Sequence, residues 1–253
     1  MRRGISIRRA ALAMSLALAA GLALVSSGAA RSEATRLNIF AAASLTEVFP
    51  SYDANENYNF AGSNALETQI RNGAPADVFA SASPTNTQNL FKAGLVDKPV
   101  TFTANRVVLI VPKSNPTGIT NVYDLAKVNA KVVLAAASVP VGSYARTVLR
   151  NLGISATVLA KVVSNESDVK GVVGKIALGQ GDAGFVYATD VKPVADQVTA
   201  IKIPAWAQPR VRYEIAVVSK SPNKAAARAW VKGILSKKGQ AALAAAGFLP
   251  IPK

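Results

Sequence analysis

From residue 36 onward, short apolar runs alternate with stretches in which apolar residues recur at helical spacing. The runs predict strands at 37–41, 57–60, 77–80, 105–112, 131–135, 159–163, 183–187, 199–203 and 210–219. The helical spacing predicts helices at 45–50, 64–72, 84–94, 121–127, 142–152, 167–178, 223–234 and 237–245. Such alternation predicts an α/β fold, with helices covering mixed, mainly parallel sheets. Pro112, Pro116 and Gly118 follow one strand, and Pro204 and Pro209 precede another. These two places suit passages between two bodies. Two lobes are therefore expected, one from residues 35–112 plus 210–253 and the other from 113–209, with a cleft between them. Sites in open α/β sheets lie beyond the carboxyl ends of strands, so the loops that enter helices are where chemistry is sought.

The first thirty residues do not follow this pattern. Residues 1–10 carry four arginines and no acid, Ala11 to Val25 is apolar, and small residues follow. That order is expected of an export signal, cleaved after Ala30 or Ala34. The apolar stretch is shorter than the roughly 20 residues a membrane span needs. Arg8-Arg9 matches a twin-arginine signal poorly. With no cysteine in the chain, disulfides, thiolate metal sites and a lipid-modified cysteine are all excluded. An exported, soluble, periplasmic protein is expected, with secretion as the alternative.

The chain carries 29 Lys and Arg against 14 Asp and Glu, a net charge of +15. Loss of residues 1–30 leaves +11. The basic residues are scattered and aromatics make up only 6%, so no nucleic-acid platform is expected. A basic surface can still steer small anions. Histidine is absent, which removes the usual general base and the commonest transition-metal ligand. A serine nucleophile would need a lysine base, and no Ser-x-x-Lys stands at the serines considered below.

Four joints can carry chemistry. In NIFAAASLTEVFP, residues 38–50, a strand meets three alanines and then Ser44. Ser44-Leu45-Thr46-Glu47 fits a capping box, which makes Ser44 either a simple helix cap or part of an anion site at a helix start. YNFAGSNALETQI, residues 58–70, repeats that grammar with Ser63. In SVPVGSYARTVL, residues 138–149, Pro140 fixes φ and Gly142 permits close backbone approach. A helix is expected to begin near Gly142, leaving the N–H of Val141 or Gly142 free. In residues 165–190, Asn165 or Ser167 is the expected cap of a helix beginning around Asp168-Val169. There Gly179 to Gly184 matches G-x-G-x-x-G, but it follows a helix and opens a strand, the reverse of a dinucleotide site. Tyr187 then ends that strand.

Taken together, FAAASLTE, FAGSNALETQIRNGAPADVFASAS, SVPVGSYA and GQGDAGFVYATD resemble the periplasmic molybdate-binding proteins of ABC importers, over most of residues 36–250. The resemblance implies a two-lobed periplasmic binding protein that closes on a tetrahedral oxyanion and is not an enzyme. It places the ligand on Ser44 and Ser63 through hydroxyl and backbone N–H, on Val141 and Val169 through backbone N–H, and on Tyr187 through its hydroxyl. It implies molybdate or tungstate as ligand, with no cofactor and no metal except molybdenum within the oxyanion. The expected partner is a membrane permease, and the expected state a monomer. A binding protein for sulfate, phosphate or another tetrahedral oxyanion is the alternative. One departure stands out: the segment between Ser44 and Ser63 is shorter than in the family by roughly two helical turns, and Pro50 falls inside it.

Overall fold

A computed structural model describes residues 36–252; the expected export signal and its cleavage sites lie outside them. The described residues form two five-stranded sheets. The first has the order β2-β1-β3-β10-β4, from β1 (Asn38–Ala42), β2 (Asn57–Ala61), β3 (Val78–Ser81), β4 (Val100–Asn105) and β10 (Val211–Val217). The second has the order β7-β6-β8-β5-β9, from β5 (Val107–Pro112), β6 (Val132–Ala135), β7 (Val162–Glu166), β8 (Ala183–Tyr187) and β9 (Val198–Lys202). In each, a parallel set is joined to antiparallel strands. β1 pairs in parallel with β2 and β3, and β6 with β7 and β8. β10 runs antiparallel to β3 and β4, and β5 to β8 and β9.

Burial explains why these runs are strands. β3, β5, β6 and β8 are buried throughout, so their sequences are continuous apolar runs, as sheets covered on both faces require. The edge strand β7 alternates intermediate and exposed residues instead. Helices α1 (Val48–Tyr52), α2 (Ser63–Arg71), α3 (Pro84–Lys92), α4 (Asp124–Lys127), α5 (Pro140–Asn151), α6 (Ser155–Leu159), α7 (Val169–Ala177), α8 (Ala188–Val191), α9 (Lys224–Leu235) and α10 (Lys237–Ala245) connect and cover the strands. Helix α5 shows the usual logic: Val141, Ala145, Val148 and Leu149 form its buried face, and Pro140 opens it where a missing N–H costs nothing. It therefore starts two residues before the expected Gly142.

The chain passes from the first sheet to the second at Arg106, the one residue between β4 and β5. This corrects the boundary expected at Pro112. Residues 107–112 pair with β8 and β9, so they belong with 113–209. β4 is not among the expected strands, and the run expected at 105–112 takes in its last residue, Asn105, and the exposed Arg106 ahead of β5. Side chains mark the break instead. Asn105 Oδ1 accepts from Arg106 N–H at 2.9 Å, while Gln208 Oε1 accepts from Val107 N–H at 3.1 Å and Gln208 Nε2 donates to Val107 O at 2.7 Å. Gln208 lies on the return passage, between β9 and β10, so one amide ties the two crossings together.

The short segment after Ser44 is a 3-10 turn, Ala43–Leu45, followed by α1. Pro50 is the third residue of α1, where the backbone N–H has no intrahelical acceptor, and it is tolerated. Phe49 packs 5.1 Å from Trp230 and 6.1 Å from Phe102 between ring centroids.

Candidate functional site

The loops converge because the parallel strands of each sheet, β1 and β2 in one and β6, β7 and β8 in the other, end beside the same cavity. Ser44 follows β1 and Ser63 follows β2, which are neighbours in the first sheet. Val141 follows β6, Val169 follows β7 and Tyr187 ends β8, which are neighbours in the second. All five residues line one small cavity between the two sheets, together with Ala42, Ala43, Gly62, Ala82 and Asp168. The cavity is small, about 10 Å³. None of the five is more than 5% exposed.

The lining supplies hydrogen-bond donors and no cation. Ser63 and Val169 are the first residues of α2 and α7, and Val141 is the second of α5. Their N–H groups have no intrahelical acceptor, and the positive ends of three helix dipoles meet there. Tyr187 Oη is buried and has no hydrogen-bond partner among the described residues. A buried phenol left so calls for an acceptor. Burial pushes its pKa well above the ordinary tyrosine value, helped by the neighbouring Tyr213, Tyr144 and Asp190, so it remains a donor. The lining carboxylate, Asp168, is turned away: its Oδ1 accepts from Gly171 N–H at 3.1 Å and caps α7.

That cap replaces Asn165 and Ser167, which the local sequence offered equally well. The two serines are not caps either. Ser44 Oγ lies 2.8 Å from Tyr213 Oη, and Glu47, its expected capping-box partner, contacts Lys170 at 3.7 Å. Ser63 Oγ accepts from Ala82 N–H at 3.1 Å, and the N-cap of α2 is Gly62. Both hydroxyls are thus held by the core and face the cavity.

Glycine is required at two lining loops. A Cβ on Gly142 would collide with the carbonyl oxygens of Ala135 and Ala136, at the end of β6. A Cβ on Gly62 would collide with the carbonyl oxygen of Ser167, which belongs to the opposite half. The halves also meet where Asn64 Nδ2 donates to Ser138 Oγ at 3.3 Å. Lys170 bridges them, lying 3.7 Å from Glu47 and 3.5 Å from the buried Asp190. Burial raises the Asp190 pKa to about 6, against the opposing pull of Lys170 and of the Tyr187 N–H that its Oδ2 accepts at 3.2 Å.

A larger cavity, about 790 Å³, opens along the crossings and is lined by Arg106, Lys202, Arg210 and Arg212 among others. None of the five residues above lies in it. It is far too wide to replace the hydration shell of a small ion, and the smaller cavity is the one into which donors converge.

Comparison with known proteins agrees with this geometry. The family of bacterial extracellular solute-binding proteins matches residues 37–249. The chain belongs to that family. The molybdate-binding protein ModA of Mycobacterium tuberculosis is 36% identical to this solute-binding protein over 220 residues, 83% of each chain. Among solved structures, the periplasmic molybdate-binding protein of Azotobacter vinelandii superposes with a TM-score of 0.76 at 21% identity, covering 86% of this chain and all of the other. The sulfate-binding protein SubI of M. tuberculosis gives 0.75 at 19%, covering 86% and 87%. These two establish a shared fold. Membership of a solute-binding family accords with binding rather than catalysis. Among the described residues no helix is long and apolar enough to cross a membrane, and no group of three acidic residues is placed to hold a metal ion.

Proposed function

We propose that this protein captures molybdate, and tungstate comparably, between two lobes in the periplasm and delivers it to the permease of an ABC importer. The lobes would be residues 36–105 plus 211–252 and residues 107–208. The observation that carries the reading is the convergence of Ser44, Ser63, Val141, Val169 and Tyr187 on one buried cavity whose lining contains no cation. The relationship to a molybdate-binding protein supports the choice of anion.

Neutral donors suit such a ligand. A dianion entering a closed cleft loses its water, and each oxygen needs replacement hydrogen bonds. Bonds to a charged acceptor are worth about 1.5–3 kcal/mol each. Seven donors are available: hydroxyl and N–H on each serine, N–H on Val141 and Val169, and the Tyr187 hydroxyl. Fixed donors recognise geometry, whereas a lysine rewards any anion. Sulfate is also tetrahedral and fully deprotonated, so it must be rejected by size. Phosphate at neutral pH retains a proton that needs an acceptor.

Calorimetric titration of the chain from residue 31 with molybdate, tungstate and sulfate tests this. One-to-one molybdate binding with weak sulfate binding is expected. Folded protein that prefers sulfate transfers the reading to another oxyanion, and comparable affinities defeat the size argument.

A further inference from the structure

A serine hydroxyl both donates and accepts, so two serines make a donor-only cleft only if their protons face inward. What stands behind each serine decides this. Behind Ser63 is the N–H of Ala82, donating at 3.1 Å. An N–H cannot accept, so Ser63 accepts there and its own proton is left for the cavity. Behind Ser44 is Tyr213 Oη at 2.8 Å, and that pair is symmetrical: either oxygen can donate.

Asn105 breaks the symmetry. Its Oδ1 accepts from Arg106 N–H at 2.9 Å, which fixes the amide orientation. Its Nδ2 consequently faces Thr189 Oγ1 at 2.9 Å and Tyr213 Oη at 3.5 Å. An amide NH2 only donates. With Asn105 donating to it, Tyr213 has its single proton left to give to Ser44, and in that arrangement Ser44 turns its own proton to the cavity. Tyr213 and Asn105 are almost wholly buried, so no water competes for either role. Asn105 ends β4 at the first crossing, and Thr189 belongs to the second sheet's half, so the donor that starts the relay sits where the halves join.

We propose that Asn105 and Tyr213 are positioning residues that fix the direction of the Ser44 hydroxyl, so that the cleft shows its ligand protons alone and selects a fully deprotonated tetrahedral anion over a protonated one. The inference rests on the oxyanion reading above and adds the residues that enforce its polarity.

A double-mutant cycle tests it, with molybdate and hydrogen phosphate affinities measured by calorimetry at pH 7 on the chain from residue 31. Tyr213→Phe keeps the ring and removes only the hydroxyl. It is expected to weaken molybdate by about tenfold, the scale of one hydrogen bond. It should also narrow the molybdate-to-phosphate ratio, because a released Ser44 can accept the phosphate proton. In a Ser44→Ala background Tyr213→Phe should cost nothing further, since the group it acts through is gone. Equal weakening in both backgrounds, or an unchanged ratio, means Tyr213 is only packing and overturns the proposal. Asn105→Leu provides the same comparison through the other relay residue, should Tyr213→Phe fail to fold. Wild-type protein that binds neither molybdate nor sulfate defeats the oxyanion reading, and this inference with it. Binding with an additive cycle defeats this inference alone.

Discussion

Gly62 offers a sharp test of closure, because its effect should fall on one state of the protein. It is the N-cap of α2, with φ −59° and ψ 136°, angles that any residue adopts. Nothing in its own backbone demands glycine. What demands it is the carbonyl oxygen of Ser167 from the opposite half, which lies inside contact distance of the position a Cβ would take, with Asn64 Oδ1 a further 2.8 Å neighbour. Asn64 is a side chain and can rotate; the Ser167 carbonyl is backbone and cannot move without the loop that presents Val169. Forcing a methyl into a packed contact costs roughly 1–3 kcal/mol. If the two loops part in an open form, as the proposed function requires, the cost vanishes there. Gly62→Ala should therefore raise the molybdate Kd by a factor of about 5 to 150 while the unliganded protein melts within a few degrees of wild type. Gly62→Ser, which adds a capping oxygen that glycine lacks, should lose the same affinity, separating the clash from any effect of capping on α2. Isothermal calorimetry gives the Kd and calorimetric melting gives the unliganded stability. Unchanged affinity, or a loss of unliganded stability as large as the loss of affinity, would refute the idea that this contact belongs to the closed form.

Other outcomes follow from the same geometry. Ser44→Ala, Ser63→Ala and Tyr187→Phe should each weaken molybdate by roughly 10- to 150-fold in calorimetry, as loss of a hydrogen bond to a charged acceptor predicts; an effect below threefold at all three would place the ligand elsewhere. Asp190, raised to about 6 from an ordinary 3.8 by burial, takes up its proton more readily folded than unfolded. Its contribution is therefore most favourable below about pH 3.8 and is lost as pH rises through 6, by roughly 3 kcal/mol at most. Urea denaturation between pH 4 and pH 7 should show a decline in wild type that is absent in Asp190→Asn, and parallel curves would contradict this. Pro50→Ala, unlike removal of a mid-helix proline, should destabilise slightly, by about 0.4–1 kcal/mol through the freer unfolded chain; a clear rise in melting temperature would mean that Pro50 is strained.

Much of this protein was legible along the chain, and what was legible was local. Strands 57–61, 78–81 and 183–187 fall within a residue of their apolar runs, because a buried strand has to be apolar where it stands. The helix at 237–245 coincides with its predicted span, and that at 169–177 starts only two residues late, because helical spacing and flanking caps are short-range features. Ser44, Ser63, Val141, Val169 and Tyr187 were singled out by small residues at strand ends and by resemblance to a family. Tertiary structure decided the rest. It brought the five together, since strand order makes β2 and β1 neighbours in one sheet and β7, β6 and β8 neighbours in the other, and both sets end at one cavity. It overruled the reading of both serines as helix caps, because Tyr213, 169 residues away from Ser44, and Ala82 hold those hydroxyls. It separated Asn105 from 107–112 at the exposed Arg106 and placed them in different sheets, which the hydrophobic pattern of a strand does not specify. Hydrophobic pattern records whether a residue is buried, whereas hydrogen-bond direction and interlobe contact depend on which distant residue it is buried against.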